Sequence, residues 1–387
     1  MGIVSRRRLF LHIGHPKTGT TSIQTWFLAN REALRSAGIL YPTTGLNDSA
    51  HRLLSPAFYA QRHLPNEAPA VMHRLIREIE SSSCSVVFIS FEGFGLDHPR
   101  SLAPLRELGE VTVIYYVRRQ DHLAESMYAQ HVRSFLRMEI RPPDLWLEQV
   151  FHCDYLAVAE RFAAFFGADR FRLRPFEPAT LAGGDVVKDI LNVMGVTPPF
   201  NLPPPTSRNE TLQRPYLSFK RALNLLPFLE EEHRLIARTL AHLSQADSTL
   251  RPRHFFPPET RLALIERYAS LNATLAREFL ERPDGRLFQD TSLDPNASWA
   301  PLTPLAPSDQ WDIFERLSPE GQAILTTLYR PARLANRGEP LLPHLPDGNE
   351  SALERLSNVR LRTQLQRRLA RLECVTHDPF APHAVQP

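Results

Sequence analysis

The segment LFLHIGHPKTGTTSIQTW, residues 9–26, constrains this chain more than any other. It begins with an apolar run of strand character, Leu9, Phe10, Leu11 and Ile13. Gly14 and Gly19 then bracket a tight loop, and Thr20–Thr21 open a stretch with apolar residues at Ile23, Phe27 and Leu34. Strand, glycine loop and helix in that order leave unpaired backbone N–H groups at the helix start, where the helix dipole also favours negative charge. A phosphate or sulfate group is the expected occupant.

The spacing resembles the P-loop pattern G-x4-G-K-[ST], with one informative departure. Gly19 is followed directly by Thr20–Thr21, and the lysine has moved inside the loop, to Lys17. A nucleoside-triphosphate enzyme needs its lysine at the β/γ-phosphates and a hydroxyl on Mg²⁺. A lysine two residues before the second glycine meets a different anion, nearer the 5′ end of a nucleotide. The chain carries 45 Lys+Arg residues, and lysine occurs only at Lys17, Lys188 and Lys220. A lysine in the glycine loop therefore departs from the habit of the whole sequence. Its compact ammonium suits a single bridging oxygen, whereas arginine presents a wide planar fork.

Composition excludes several function classes. A net charge of +3 and 22% charged residues are too mild for nucleic acid as the main partner. Arg6–Arg7–Arg8 followed by LFLHIGH has the look of a targeting signal, but the apolar stretch is short and runs straight into the glycine loop, so none is expected. No apolar run approaches the ~18 residues of a membrane span. Cys84, Cys153 and Cys374 lie far apart with no CxxC, which fits a reducing, cytoplasmic setting without a structural metal.

Residues 85–91, SVVFISF, form a continuous apolar strand ending on Glu92, and residues 111–117, VTVIYYV, form another ending on Arg118–Arg119. Two-sided apolar strands alternating with helical patterns predict an α/β fold, a P-loop-type parallel sheet flanked by helices. Ligands gather at the carboxyl ends of such strands, so the glycine loop, Glu92 and Arg118 should share one edge of the sheet. A short strand or turn is expected near 39–42 after a Gly38 cap, and an edge strand at 170–176. Helices are expected at 70–81, 120–136, 144–166, 183–194, 216–243 and 258–280. Residues 9–288 read as one domain. Residues 289–387 read as a Pro-rich linker and mostly helical C-terminal extension of unknown role, with helical patterns at 318–329 and 353–372. The last of these carries six arginines and is expected to be a solvated docking helix rather than a membrane-surface one.

A second anion contact suggests itself beyond the strand at 111–117. Arg118 stands at its end and Ser126 roughly two turns into the following helix, so guanidinium and hydroxyl are placed to grip a second phosphate of the same nucleotide. With both loops in view, the sequence resembles the sulfotransferase superfamily. PKTGTT, residues 16–21, looks like its 5′-phosphosulfate loop, and Arg118…Ser126 has its 3′-phosphate spacing. More narrowly the chain is similar to bacterial sulfotransferase-like proteins, through LHIGHPKTGTTSIQ, ISFE, YYVRRQDH, RPFE…GGD, RNETL and RPDGRLF. The resemblance covers residues 9–288.

The resemblance implies a donor, 3′-phosphoadenylyl sulfate, an in-line transfer without metal, and a hydroxyl or amine acceptor on a glycan, a lipid-linked sugar or a small metabolite. Lys17 would meet the bridging oxygen, and Thr18, Gly19, Thr20 and Thr21 would hold the 5′-phosphate. A base must take the acceptor's proton: Glu92, at its strand end, is the first candidate and His51 the second. His12 and His15 flank the loop and are expected to be packed or bonded to backbone. Two rivals stand beside this reading, a small-molecule kinase on the related fold and a non-catalytic nucleotide-binding interaction protein.

Overall fold

The computed structural model describes residues 7–197, 212–226, 228–248, 254–290, 293 and 298–329. The helical pattern at 353–372 and most of the RNETL segment lie outside the described residues. Five strands form one fully parallel sheet: β1 (Arg7–His12), β2 (Ile39–Leu40), β3 (Val86–Ser90), β4 (Gly109–Val117) and β5 (Phe171–Pro175), in the spatial order β2-β3-β1-β4-β5. β1 is central, with Leu9 opposite both Val87 and Val111. Every residue of β3 is buried, as its unbroken apolar run requires of a strand covered on two faces. Among the described residues β5 pairs with β4 alone, and it alternates buried and more exposed positions, which is the pattern of an edge.

The strand ends set up the site. His12 is in register with Ser90 and with Ile114, and the β1–β4 ladder runs on past the strand through Ile13 N–H to Ile114 O and His15 N–H to Tyr116 O. The glycine loop, Glu92 and Arg118 thus leave the sheet at the same edge. On one face the core packs Phe10, Phe27, Tyr41, Phe88, Tyr116 and Ile190, with the Phe27 and Phe88 rings 4.2 Å apart.

Beneath it lies a buried charge. Asp189 is inaccessible to solvent and takes the Tyr116 hydroxyl at 2.7 Å, the Arg174 guanidinium through two nitrogens, and Ala182 N–H at 3.0 Å. These bonds anchor β5 and the helix Val186–Met194 to β4. Asp189→Ala strands a guanidinium and a buried hydroxyl, so we expect a loss of about 3–5 kcal/mol in denaturant unfolding. A loss under about 1 kcal/mol would mean that the network is incidental.

Several long helical patterns are interrupted. The stretch 144–166 is two helices, Pro143–Gln149 and Tyr155–Phe166, the second begun by Asp154, whose carboxylate accepts Ala157 N–H. Residues 216–243 likewise divide into Arg214–Leu223 and Glu230–Ala246, and 258–280 into Pro258–Arg267 and Ala269–Leu280. Apolar periodicity survives a one-turn break, because the residues beyond it still face the same core.

The chain divides into two compact units, each discontinuous in sequence. The first comprises Met1–Gln120, Cys153–Arg208 and Leu264–Ser292 and contains the whole sheet. The second comprises Asp121–His152, Asn209–Ala263 and Leu293–Pro387, and its regular elements are helical among the described residues. Its interior holds a buried Asp121–Arg261 ion pair at 2.6 Å and Asn224, whose amide donates to Val132 O and Glu139 O. No described helix is long and apolar enough to cross a membrane.

Candidate active site

The helix α1 (Thr20–Ala29) begins directly after the glycine loop. No side chain caps its N-terminus and its first turn holds no acidic residue. Positive potential there is left uncompensated by the protein, as an anion site requires. The two glycines serve different ends. Gly19 adopts φ +76°, and a Cβ on it would lie 2.9 Å from Phe176 Cε2 and 3.0 Å from Val186 Cγ1. Gly14 is needed for space, since its Cβ would meet His12 Nε2 at 2.5 Å. Lys17 also has a positive φ, 69°, uncommon for a residue with a side chain and costing on the order of 1 kcal/mol. Thr18 stiffens the turn by donating its hydroxyl to His15 O at 2.6 Å.

Arg118 reaches this loop directly. Its Nη1 donates to Lys17 O at 3.2 Å, and its guanidinium stands 6.0 Å from the centre of the Phe176 ring. Tyr155 secures the arginine's backbone: the phenol accepts from Arg118 N–H and donates to Arg118 O at 2.6 Å. The Arg118 guanidinium is thereby held, from the end of β4, against the backbone of the loop that leads into an uncapped helix. Ser126 is half-buried on the helix Gln120–Arg133 and falls in the second unit.

Glu92 follows β3 by two residues and is half-buried. Its Oε2 accepts from Gln24 Nε2 at 2.9 Å. His51 has a different place. It is fully buried, donates from Nε2 to Pro42 O at 3.1 Å, and accepts at Nδ1 from Ser90 N–H at 3.2 Å. Both ring nitrogens are thus committed to backbone, and burial pulls the imidazole down to about 4. His51 ties the 42–51 loop to the end of β3. His12 is buried and its Nδ1 lies 2.8 Å from Ser90 Oγ, while burial holds it near 3. His15 bonds Pro16 O and packs edge-on against Tyr155, with burial pulling it to about 4. No cluster of metal-ligating side chains occurs among the described residues.

Sequence reasoning passed over Gln24, Ser90, Tyr155 and Phe176. Gln24 carried a signal: it is a polar residue flanked by Ile23 and Phe27 on the face of α1 that enters the core. Tyr155 carried none, since it meets Arg118 from 37 positions away.

No family model matches the chain, and no curated protein does. Among solved structures it matches a sulfotransferase from Alicyclobacillus acidocaldarius at 18% identity and a TM-score of 0.34, over 57% of this chain and 93% of that one.

Proposed function

We propose that this chain is a sulfotransferase that moves a sulfuryl group from 3′-phosphoadenylyl sulfate to a hydroxyl or amine acceptor. The observation that carries the reading is the loop itself. A lysine sits inside the glycine turn in a left-handed conformation, and Arg118 lies against its carbonyl at the start of an uncapped helix. The donor, when bound, supplies an activated sulfuryl group on a phosphate. Thr18 and Gly19 offer backbone N–H groups, and Thr20 and Thr21 backbone and hydroxyl donors, to that 5′-phosphate, and Arg118 takes the 3′-phosphate.

During transfer a bond forms between sulfur and the acceptor oxygen or nitrogen as the bond from sulfur to the bridging oxygen breaks. Charge grows on that oxygen, and Lys17 neutralises it. The acceptor's proton passes to Glu92 and from there to solvent. Both His51 nitrogens are bonded to backbone, which supports Glu92 as the base in this reading.

Calorimetry tests the reading. The chain should bind 3′-phosphoadenosine 5′-phosphate in preference to ATP, and equally well with a chelator present. Tight, Mg²⁺-dependent ATP binding would return it to the small-molecule kinases. Glu92→Gln keeps the shape and the Gln24 contact but removes the proton acceptor. Its nucleotide affinity should stay within about twofold, while turnover falls about a hundredfold or more. Retained turnover would remove Glu92 from the chemistry.

A further inference from the structure

The residues around Glu92 form a continuous brace. Ser90, the last residue of β3, is fixed from two sides: its backbone exchanges N–H and C=O bonds with His51, and its hydroxyl meets His12 Nδ1 at 2.8 Å. Gln24, only 2% exposed, lies in the second turn of α1. Its amide nitrogen donates to Ser90 Oγ at 3.2 Å and to Glu92 Oε2 at 2.9 Å. Glu92 Oε1 takes no hydrogen bond among the described residues. One oxygen of the carboxylate is therefore held and the other is open.

We infer that Gln24 is a positioning residue that aims the Glu92 carboxylate and locks it to the helix carrying the anion loop. The inference rests on Glu92 being the base of the proposed transfer. A glutamate has three rotatable bonds, and at a strand end only a bond at its tip selects one arrangement. Gln24 supplies that bond from the helix whose first turn faces the donor, so base and donor site move as one piece. A near-attack geometry depends on such fixing, and a misplacement of ~1 Å is costly. A buried glutamine in a helix face is otherwise an unfavourable choice, because each of its polar atoms needs a partner. Here the amide nitrogen's partners are the strand end and the carboxylate.

The test substitutes Gln24→Met, which keeps length and volume but removes the donor. Single-turnover transfer is followed with ³⁵S-labelled 3′-phosphoadenylyl sulfate and a panel of phenols, amines and sugars, in a cycle with Glu92→Gln. Binding of 3′-phosphoadenosine 5′-phosphate and thermal unfolding are measured on every variant. Gln24→Met should slow transfer about tenfold with nucleotide affinity unchanged, and should slow it no further in the Glu92→Gln background. A purely structural glutamine would cost the same factor in both backgrounds, and that result overturns the inference. So does full activity of a folded Gln24→Met protein beside an inactive Glu92→Gln. If the unmodified chain neither binds the nucleotide nor transfers label, the sulfotransferase reading falls and this inference falls with it.

Discussion

Lys17→Ala should leave 3′-phosphoadenosine 5′-phosphate affinity within a few-fold and slow the bound-state chemical step by a hundredfold or more. In the proposed transfer the ammonium meets charge that exists mainly in the transition state, and loss of one such donor costs about 3 kcal/mol of stabilisation there. Alanine also keeps the φ of 69° that the loop imposes, so the backbone stays as demanding as before. Arg118→Ala should do the reverse. On the same proposal its contact with a remote phosphate is equally strong before and during reaction, so its loss is uniform binding. A charged hydrogen bond of about 2 kcal/mol corresponds to roughly thirtyfold in Kd. Single-turnover rates at saturating donor, beside calorimetric Kd values, separate the two. Equal loss of chemistry in both variants would defeat the assignment. Because Arg118 also bonds Lys17 O, some of its effect will reach the loop, and Arg118→Lys should recover binding only in part.

The second large effect is acid unfolding. His12 and His51 are fully buried, and burial lowers them to about 3 and about 4. A histidine whose folded pKa lies below its unfolded value of ~6.5 contributes stability that is complete above that value. As pH falls from 6.5 toward 4 the unfolded chain takes up protons that the folded chain refuses. Each such histidine then withdraws up to about 1.4 kcal/mol per pH unit. His15 acts in the same direction in the first unit, and His131, lowered to about 3, does so in the second. Asp97 opposes them. Burial raises its carboxyl to about 6, so between roughly pH 6 and 4 the folded chain holds a proton that the unfolded chain releases, and stability rises as pH falls. His12 and His51 alone, set against Asp97, leave a net loss of about 3 kcal/mol between pH 6.5 and 4.5, and His15 and His131 add to it. Urea unfolding at pH 7, 6, 5 and 4.5 measures it. A flat profile would show that these imidazoles are hydrated, and Asp97→Asn should steepen the fall.

Much of the architecture was legible because it depends on local composition. SVVFISF and VTVIYYV are apolar on both faces, and only a parallel sheet covered on both sides buries such strands, so sheet type followed from two short runs. The charge alternation of 170–176 likewise marked β5 as an edge. Asp154 and Asn30 were harder to read. Asp154 starts a helix inside an apolar periodicity that spans it, and Asn30, whose amide donates to Trp26 O, ends one in the same way.

At the site the division is sharper. The order strand, glycine, lysine, glycine, helix is a one-dimensional pattern, and by itself it put the lysine inside the loop and raised the expectation of an anion there. What Arg118 touches, which oxygen of Glu92 is held, and that both nitrogens of His51 are spent on backbone were decided by the tertiary structure alone. A loop histidine reads in sequence as an available base. Whether its nitrogens are free depends on Pro42 and Ser90, the latter 39 positions away, brought beside it by the pairing of β2 with β3. Hydrogen-bond partners at that separation leave no trace in local spacing, because it is the packing of the sheet that brings them together.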